Sequence, residues 1–205
     1  MYTTRTGLVL GFHGCDEAIA QRVISNDAYL RESQNIHDWL GHGVYFWENS
    51  PERALEFATF LRDNPSRSQN PIIKPAVIGA VIDLGFCFDL LDYGSLQILK
   101  TSYHVFKSIW ENTGRSIPQN LMVGNSNDLL LRNLDCAVFE TLHKFRIDNN
   151  EQPYDSVRGV FWEGSELYPN AGFREKDHIQ LCIRNPNCIK GFFNPRKFNP
   201  KYNKV

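Results

Sequence analysis

The chain has 205 residues, of which 42% are hydrophobic and 22% are charged, and its formal net charge is −1. A chain of this length and composition can bury a sizeable core as one globular domain. It contains no run of about 18 apolar residues, which argues against a membrane-spanning helix, and a histidine interrupts its short amino-terminal apolar stretch, which argues against a secretory signal. We therefore expect a soluble, cytoplasmic protein with a single domain over residues 1–205 and no membrane partner.

The cysteines indicate a reduced protein without a disulfide framework. Their number is odd, they are widely scattered, and no two of them form a C-x-x-C pair, which also argues against a structural zinc site. We expect no metal and mostly buried, free thiols at the five positions, which are Cys15, Cys87, Cys136, Cys182 and Cys188.

Charge is unevenly distributed along the chain. Residues 174–205 carry a net charge of +6, so the remainder carries −7. A basic end on an acidic body can approach nucleic acid or an acidic protein, although a solvated polar tail explains the pattern equally well.

The first third of the chain alternates strands with helices. Residues 7–14 contain an apolar run that ends in His-Gly, which predicts a buried strand with the histidine at its exit. Asp16 predicts the N-cap of a helix. After a polar loop, the aromatic and β-branched residues 44–49 predict a second strand. The Ser-Pro pair at 50–51 then predicts a helix over 52–62, with serine as its cap and proline in its first turn.

The remaining elements predict a helical segment inserted between strands. Residues 76–84 form a near-continuous apolar run, which is typical of a buried strand. We expect a helical insertion at about 90–150, followed by strands at 157–162, 178–184 and 188–193. Two apolar stripes support the helices, namely Leu96, Leu99, Phe106 and Trp110, and Leu129, Leu130, Leu134, Ala137, Val138, Thr141 and Leu142.

This order of elements predicts an α+β fold. It lacks the regular alternation of strand and helix, and the G-x-G-x-x-G fingerprint, of a doubly wound nucleotide-binding fold.

Three motifs carry candidate chemistry. The first strand ends in His13-Gly14, the run GHGVYF places Tyr45 32 residues after His13, and a late strand opens with His-Ile-Gln at His178. Together they resemble the ADP-ribosyltransferase superfamily, most closely its poly(ADP-ribose) polymerase-like branch with a His-Tyr-Glu triad. The resemblance covers residues 7–62 well and residues 157–193 weakly.

The resemblance implies a fold, a reaction and a cofactor. The fold is a split mixed β-sheet, to which this chain adds its own helical insertion, and NAD is the co-substrate, held without a Rossmann fold. The enzyme transfers ADP-ribose to a macromolecular acceptor, nucleic acid or protein, and releases nicotinamide, with NAD hydrolysis as a side activity. In the family the histidine binds the adenosine-side ribose, the next glycine binds the nicotinamide amide through its backbone, and the tyrosine stacks on the nicotinamide ring. These roles carry over to His13, Gly14 and Tyr45.

The sequence departs from the family pattern on the following helix. Arg53 occupies the position of a serine that binds the nicotinamide amide, and a guanidinium there can instead face the pyrophosphate. The second stacking aromatic aligns with Glu56, so we assign that role to Phe57, and Gly43 completes the expected cofactor-binding residues.

The catalytic glutamate of the family is also replaced. Its position falls at His178 to Gln180, two residues that share a strand face. Gln180 can hold a ribose hydroxyl, whereas His178 can accept a proton from an acceptor. The carboxylate that stabilises the positively charged ribose must then come from elsewhere, and we assign it to Glu175, with Glu163 and Glu166 as alternatives.

Two functions of different classes follow. The first is a bacterial toxin or antiphage effector that modifies nucleic acid or protein, restrained by an antitoxin or inhibitor protein. The alternative is a catalytically degenerate module that binds NAD, ADP-ribose or nucleic acid. Its basic end would supply stacking aromatics among lysines and arginines, namely Phe192, Phe193, Phe198 and Tyr202.

Overall fold

The computed structural model describes residues 7–68, 70–123, 128–197 and 199–203. Phe198 and Lys204 of the basic segment therefore lie outside the described residues. The helices are α1 (Glu17–Ile24), α2 (Pro51–Asp63), α3 (Tyr93–Asn112) and α4 (Asn133–Asp148), with short 3-10 turns at Pro65–Arg67 and Pro186–Cys188. The strands are β1 (Val9–Asp16), β2 (Val44–Glu48), β3 (Pro75–Ile82), β4 (Cys87–Asp89), β5 (Asn120–Leu121), β6 (Leu131–Arg132), β7 (Ser156–Phe161), β8 (His178–Ile183) and β9 (Ile189–Phe193).

Seven strands form one mixed sheet in the order β4-β7-β8-β2-β1-β3-β9, and β5 pairs separately with β6. The β4–β7 pair is parallel and the other pairs in the large sheet are antiparallel. This arrangement confirms the α+β class. It also makes neighbours of β1, β2 and β8, the three strands that carry the sequence motifs.

Local signals explain most of the element boundaries. The Asp16 carboxylate accepts a hydrogen bond from the Ala18 N–H at 3.0 Å, which confirms the predicted cap of α1. The first strand continues past Gly14 to Asp16 because these residues still pair with β3. Ser50 makes no capping hydrogen bond through its side chain, so that part of the prediction is wrong, and Pro51 alone marks the start of α2.

The sheet separates two layers of core. On one face, which we call the α2–α4 face, Trp47 packs with Phe12 and Ala54 of α2, and Cys182 packs with residues of α4. On the other face, the α1 face, Phe46 and Leu181 lie in one cluster and Ile78 packs with α1 in another. Strand alternation produces this division, because successive side chains point to opposite sides.

The middle of the chain is helical as predicted, with two exceptions. Leu129 and Leu130 precede α4 and are not helical, and the short strands β4, β5 and β6 were not predicted. The Leu130 carbonyl instead accepts a hydrogen bond from the Trp39 indole at 2.9 Å, a contact 91 positions apart in sequence. Strands of two or three residues are too short to leave a periodic pattern, so sequence reasoning misses them.

The five cysteines are buried and form no disulfide within the part of the chain that the structure describes, as predicted. Among the described residues, no group of three or more His, Cys, Asp or Glu side chains is placed to hold a metal ion. Within the same ranges, no helix has the length and apolar character needed to cross a membrane.

A buried histidine on α4 makes the stability of this fold depend on pH. His143 is 1% exposed, and neither of its ring nitrogens has a hydrogen-bond partner within the described ranges. Burial, assisted by the nearby Arg184, lowers its pKa from 6.5 to about 3. The unfolded chain therefore binds one more proton than the folded chain between these two values, and stability falls as the pH drops through this window.

We expect His143→Leu to weaken this acid sensitivity and to raise the free energy of unfolding at pH 5. The leucine removes a buried N–H that has no hydrogen-bond partner. It also removes a pH dependence of the free energy of unfolding of up to about 1.4 kcal/mol per pH unit. Urea unfolding at several pH values between 4 and 7 measures the effect, with His104→Leu at an exposed position of α3 as the control. An unchanged slope in His143→Leu would contradict the assignment.

Candidate active site

The β1–β2 ladder ends early and leaves an opening in the sheet. Its two pairs are Gly11–Glu48 and Phe12–Trp47, whereas β1 continues beside β3 as far as Asp16. The Asn49 N–H donates to the Leu10 carbonyl at 3.0 Å, so the even-numbered residues of β1 direct their backbone groups towards β2. The N–H and C=O of Gly14 therefore face the opening, which we call the β1–β2 gap.

The His13 side chain supplies a hydrogen bond that the β1–β2 ladder lacks. Its Nδ1 donates to the Tyr45 carbonyl at 2.8 Å, the acceptor that the Gly14 N–H would use in a continued ladder. A carbonyl only accepts, so Nδ1 carries the proton and Nε2 is left as an acceptor. Burial lowers the pKa of His13 below 6.5, despite the Tyr45 contact, and keeps the ring neutral at pH 7. The ring packs against Phe46, which places it on the α1 face.

Tyr45 projects from the opposite edge of the gap, on the α2–α4 face. Its hydroxyl accepts from the Leu40 N–H at 2.8 Å and donates to the Gly41 carbonyl at 2.6 Å. Burial raises its pKa well above 10, so the hydroxyl remains protonated. These bonds fix the loop that precedes β2 against the ring.

The two glycines expected to bind cofactor differ in their surroundings. A Cβ at Gly14 would lie 2.0 Å from the Ala54 carbonyl oxygen, so glycine is required for α2 to pack on β1. Gly43 donates to the Ser33 carbonyl at 3.1 Å and accepts from the Ser33 N–H at 2.8 Å. A Cβ there would also lie 2.6 Å from the Cys182 sulfur. Gly43 thus has a structural role, and its backbone is not free to bind a ligand.

A second group of residues lies on the α2–α4 face beside the gap, and we call Trp47, Arg53, Glu163 and His178 the Trp47 cluster. Trp47 follows Tyr45 by two residues on β2, and the Arg53 guanidinium lies 5.9 Å from its ring centre. Arg53 donates to Glu163 at 2.9 Å and to Glu56 at 2.7 Å. The His178 ring is 6.3 Å from the Trp47 ring and its Nδ1 is 3.8 Å from Glu163.

Three polar atoms of this cluster are buried without a hydrogen-bond partner in the described part of the chain: Trp47 Nε1, Arg53 Nε and His178 Nε2. His178 Nδ1 donates to the Lys176 carbonyl at 2.6 Å, so its Nε2 is an acceptor. Burial lowers the pKa of His178 to about 4, which keeps the ring neutral. Each unpaired buried group costs about 1–3 kcal/mol. Two unpaired donors and one unpaired acceptor thus lie around one indole.

Glu163 is the carboxylate that joins this cluster, whereas Glu175 is exposed to solvent. Burial raises the pKa of Glu163, while Arg53 and Lys176 oppose the shift. From the sequence we expect Glu175 in this position, with Glu163 as an alternative, because the order of residues does not reveal which loop residue turns inwards. The signal that the sequence offers for Glu163 is its position only two residues after Phe161, the last residue of β7.

Gln180 and Phe57 complete the surroundings of Trp47. Gln180 is directly opposite Trp47 in the β2–β8 register and is half-buried. The Phe57 ring, 38% exposed, lies 5.1 Å from the Trp47 ring. The structure therefore brings Arg53, Phe57, His178 and Gln180 together around Trp47, and His13, Gly14 and Tyr45 together at the gap.

Comparison with known proteins identifies no family. No family model matches the chain, and no solved structure matches it. A protein of Methanocaldococcus jannaschii, itself described as uncharacterized, is 24% identical over 201 residues, which cover 87% of this chain and 83% of that protein.

We expect Gly14→Ala to destabilise the protein by about 1–3 kcal/mol, because the new methyl group forces α2 away from β1. Gly191→Ala on β9 is the matched control, since a Cβ there meets nothing within 4 Å. Urea unfolding of both variants measures the difference. Equal stability of the two would show that α2 is not held against Gly14.

Proposed function

We propose that the protein is an NAD-dependent ADP-ribosyltransferase that transfers ADP-ribose to nucleic acid or protein and releases nicotinamide. The β1–β2 gap is the observation that carries this proposal. At the gap the Gly14 backbone offers one donor and one acceptor, which match the C=O and NH₂ of a carboxamide. His13 and Tyr45, two residues of the family triad, border the same gap.

The proposal includes the split-sheet fold of the ADP-ribosyltransferases. Seven strands belong to one sheet, and the early end of the β1–β2 pairing beyond Phe12–Trp47 is the feature that favours this fold. The helices α3 and α4 between β4 and β7 support the helical insertion. Adjacent placement of the three motif strands also supports this fold.

NAD binding in this proposal uses groups that are already oriented. Neutral His13 has Nε2 available to accept a ribose hydroxyl, because the Tyr45 carbonyl holds the other nitrogen. Arg53 is the candidate for the pyrophosphate, with Phe57 beside it as the aromatic contact. The guanidinium is bonded to Glu56 and Glu163, so the pyrophosphate must compete with these carboxylates.

The second candidate is a module that binds NAD, ADP-ribose or nucleic acid without turnover. One observation favours it: β8 offers His178 and Gln180, and no carboxylate, where the family has its glutamate. Its basic end includes the exposed residues Lys190, Arg196, Lys197 and Lys201.

We expect the wild-type protein to bind NAD and to release nicotinamide, and His13→Ala to weaken NAD binding about tenfold or more. The alanine removes both the hydroxyl acceptor and the bond that holds the Tyr45 carbonyl. Calorimetry measures binding and chromatography measures nicotinamide, with His104→Ala as the control. Binding without nicotinamide release supports the module instead, and unchanged affinity in folded His13→Ala contradicts both candidates.

We further propose a role as a toxin or antiphage effector with an antitoxin or inhibitor as its partner. Expression of the wild-type chain alone should slow bacterial growth, whereas His13→Ala at equal soluble abundance should not. Growth curves with immunoblots test this role, and mass spectrometry of total protein and nucleic acid detects the added ADP-ribose. Equal growth of the two strains argues against a toxic activity.

A further inference from the structure

We propose that a cavity bounded by α3, α4, the end of β7 and the loop residues Trp39 and Leu40 binds a small carboxylate with an aliphatic chain. We call it the Arg132 cavity, after a charged residue of its wall. Its volume of about 430 Å³ is within the range of small-molecule sites. None of the residues assigned to NAD lines it, so the inference goes beyond the proposed function and is tested without NAD.

The interior of the Arg132 cavity is apolar. Leu96 and Leu99 are three positions apart on α3 and therefore share one face of that helix. Val138 of α4 and Phe161 of β7 also line the cavity, and both are buried. Such an interior can hold the hydrocarbon part of a ligand, because contact with it removes apolar surface from water.

The wall favours an aliphatic chain over a planar ring. Trp39 and Phe161, two aromatic residues of the wall, have ring centres 4.4 Å apart. The Arg132 guanidinium lies 4.5 Å from the Trp39 ring centre and 5.0 Å from the Phe161 ring centre. A planar ligand that stacked on these faces would displace the guanidinium. A flexible chain can instead pack against the leucine and valine side chains.

The charged groups of the cavity suit a monoanion. Lys100 and Arg132 are its cations and Asp135 is its carboxylate, so two positive charges face one negative charge. Lys100 is exposed and forms no ion pair with any residue in the described ranges. One carboxylate group on the ligand therefore balances the charge of the cavity.

Arg132 is held in position and can still bind an anion. Its Nε donates to the Leu129 carbonyl at 3.0 Å, and its Nη1 lies 3.3 Å from Asp135. The second distance is longer than in a strong charged hydrogen bond. Asp135 also accepts from the Asn120 side chain at 2.9 Å, so it keeps a partner when Arg132 turns to the ligand.

The first experiment measures, by calorimetry on the full chain, the binding of octanoate, octanol and octylammonium. These ligands share one chain and differ in the charge of the head group. We expect octanoate to bind about tenfold more tightly than octanol, and octylammonium to bind more weakly than octanol. No binding of octanoate, or an affinity no higher than that of either other ligand, overturns the inference.

The second experiment locates the site with charge variants whose fold is checked by thermal unfolding. We expect Arg132→Gln to weaken octanoate binding about tenfold or more, and Lys100→Gln about two- to fivefold because this lysine is exposed. Lys107→Gln is the control, since Lys107 is also on α3 but does not line the cavity. Unchanged affinity in folded Arg132→Gln overturns the inference.

If Arg132→Gln does not fold, Leu96→Trp decides. Leu96 is an exposed residue of the cavity wall, so the larger ring can occupy the cavity without entering the core. We expect octanoate binding to weaken about tenfold or more. Ile109→Trp, at an exposed position of α3 outside the cavity, is the control. Unchanged affinity in Leu96→Trp, or an equal loss in Ile109→Trp, overturns the inference.

Discussion

The early end of the β1–β2 ladder is the constraint on which the rest of the site depends. Beyond Phe12–Trp47 the two strands no longer pair, and the His13 ring bonds the Tyr45 carbonyl in place of a backbone N–H. Meanwhile β2 remains paired with β8, which keeps Trp47 opposite Gln180. The gap and the Trp47 cluster therefore adjoin the same short strand, and one irregularity in the sheet positions both.

The unpaired atoms around Trp47 are a local exception in a well-satisfied structure. Arg158, only 4% exposed, is bonded through Nε and Nη2 to Glu48 at 2.5 and 3.1 Å, and through Nη1 to Asp89 at 3.3 Å. The fold thus supplies carboxylates to this buried guanidinium. The ring nitrogens of His143 also lack hydrogen-bond partners in the described ranges, but they belong to a single residue. Three unpaired atoms on three elements around one ring are the largest such group among the described residues.

The features that the sequence predicts correctly are those that neighbouring residues determine. The α+β class, the cap at Asp16, the proline start of α2 and the helical middle all follow from residues close together in the chain. The sequence does not predict properties that arise only when distant segments meet. The early end of the β1–β2 ladder depends on pairing across 35 positions, from Phe12 to Trp47. The structural role of Gly43 likewise depends on Ser33 and on Cys182 of a distant strand.

The different surroundings of Glu163 and Glu175 show the same limit, because the order of residues does not reveal that Glu163 turns towards Arg53 while Glu175 is exposed to solvent. In an antiparallel pair, residues that follow one strand lie beside residues that precede the next. The end of β7 and the start of β8 therefore border one volume, as the Phe161–His178 pair demonstrates. A side chain attached to either strand can reach this volume. The Glu163 carboxylate, which follows β7, accordingly lies 3.8 Å from Nδ1 of His178 at the start of β8.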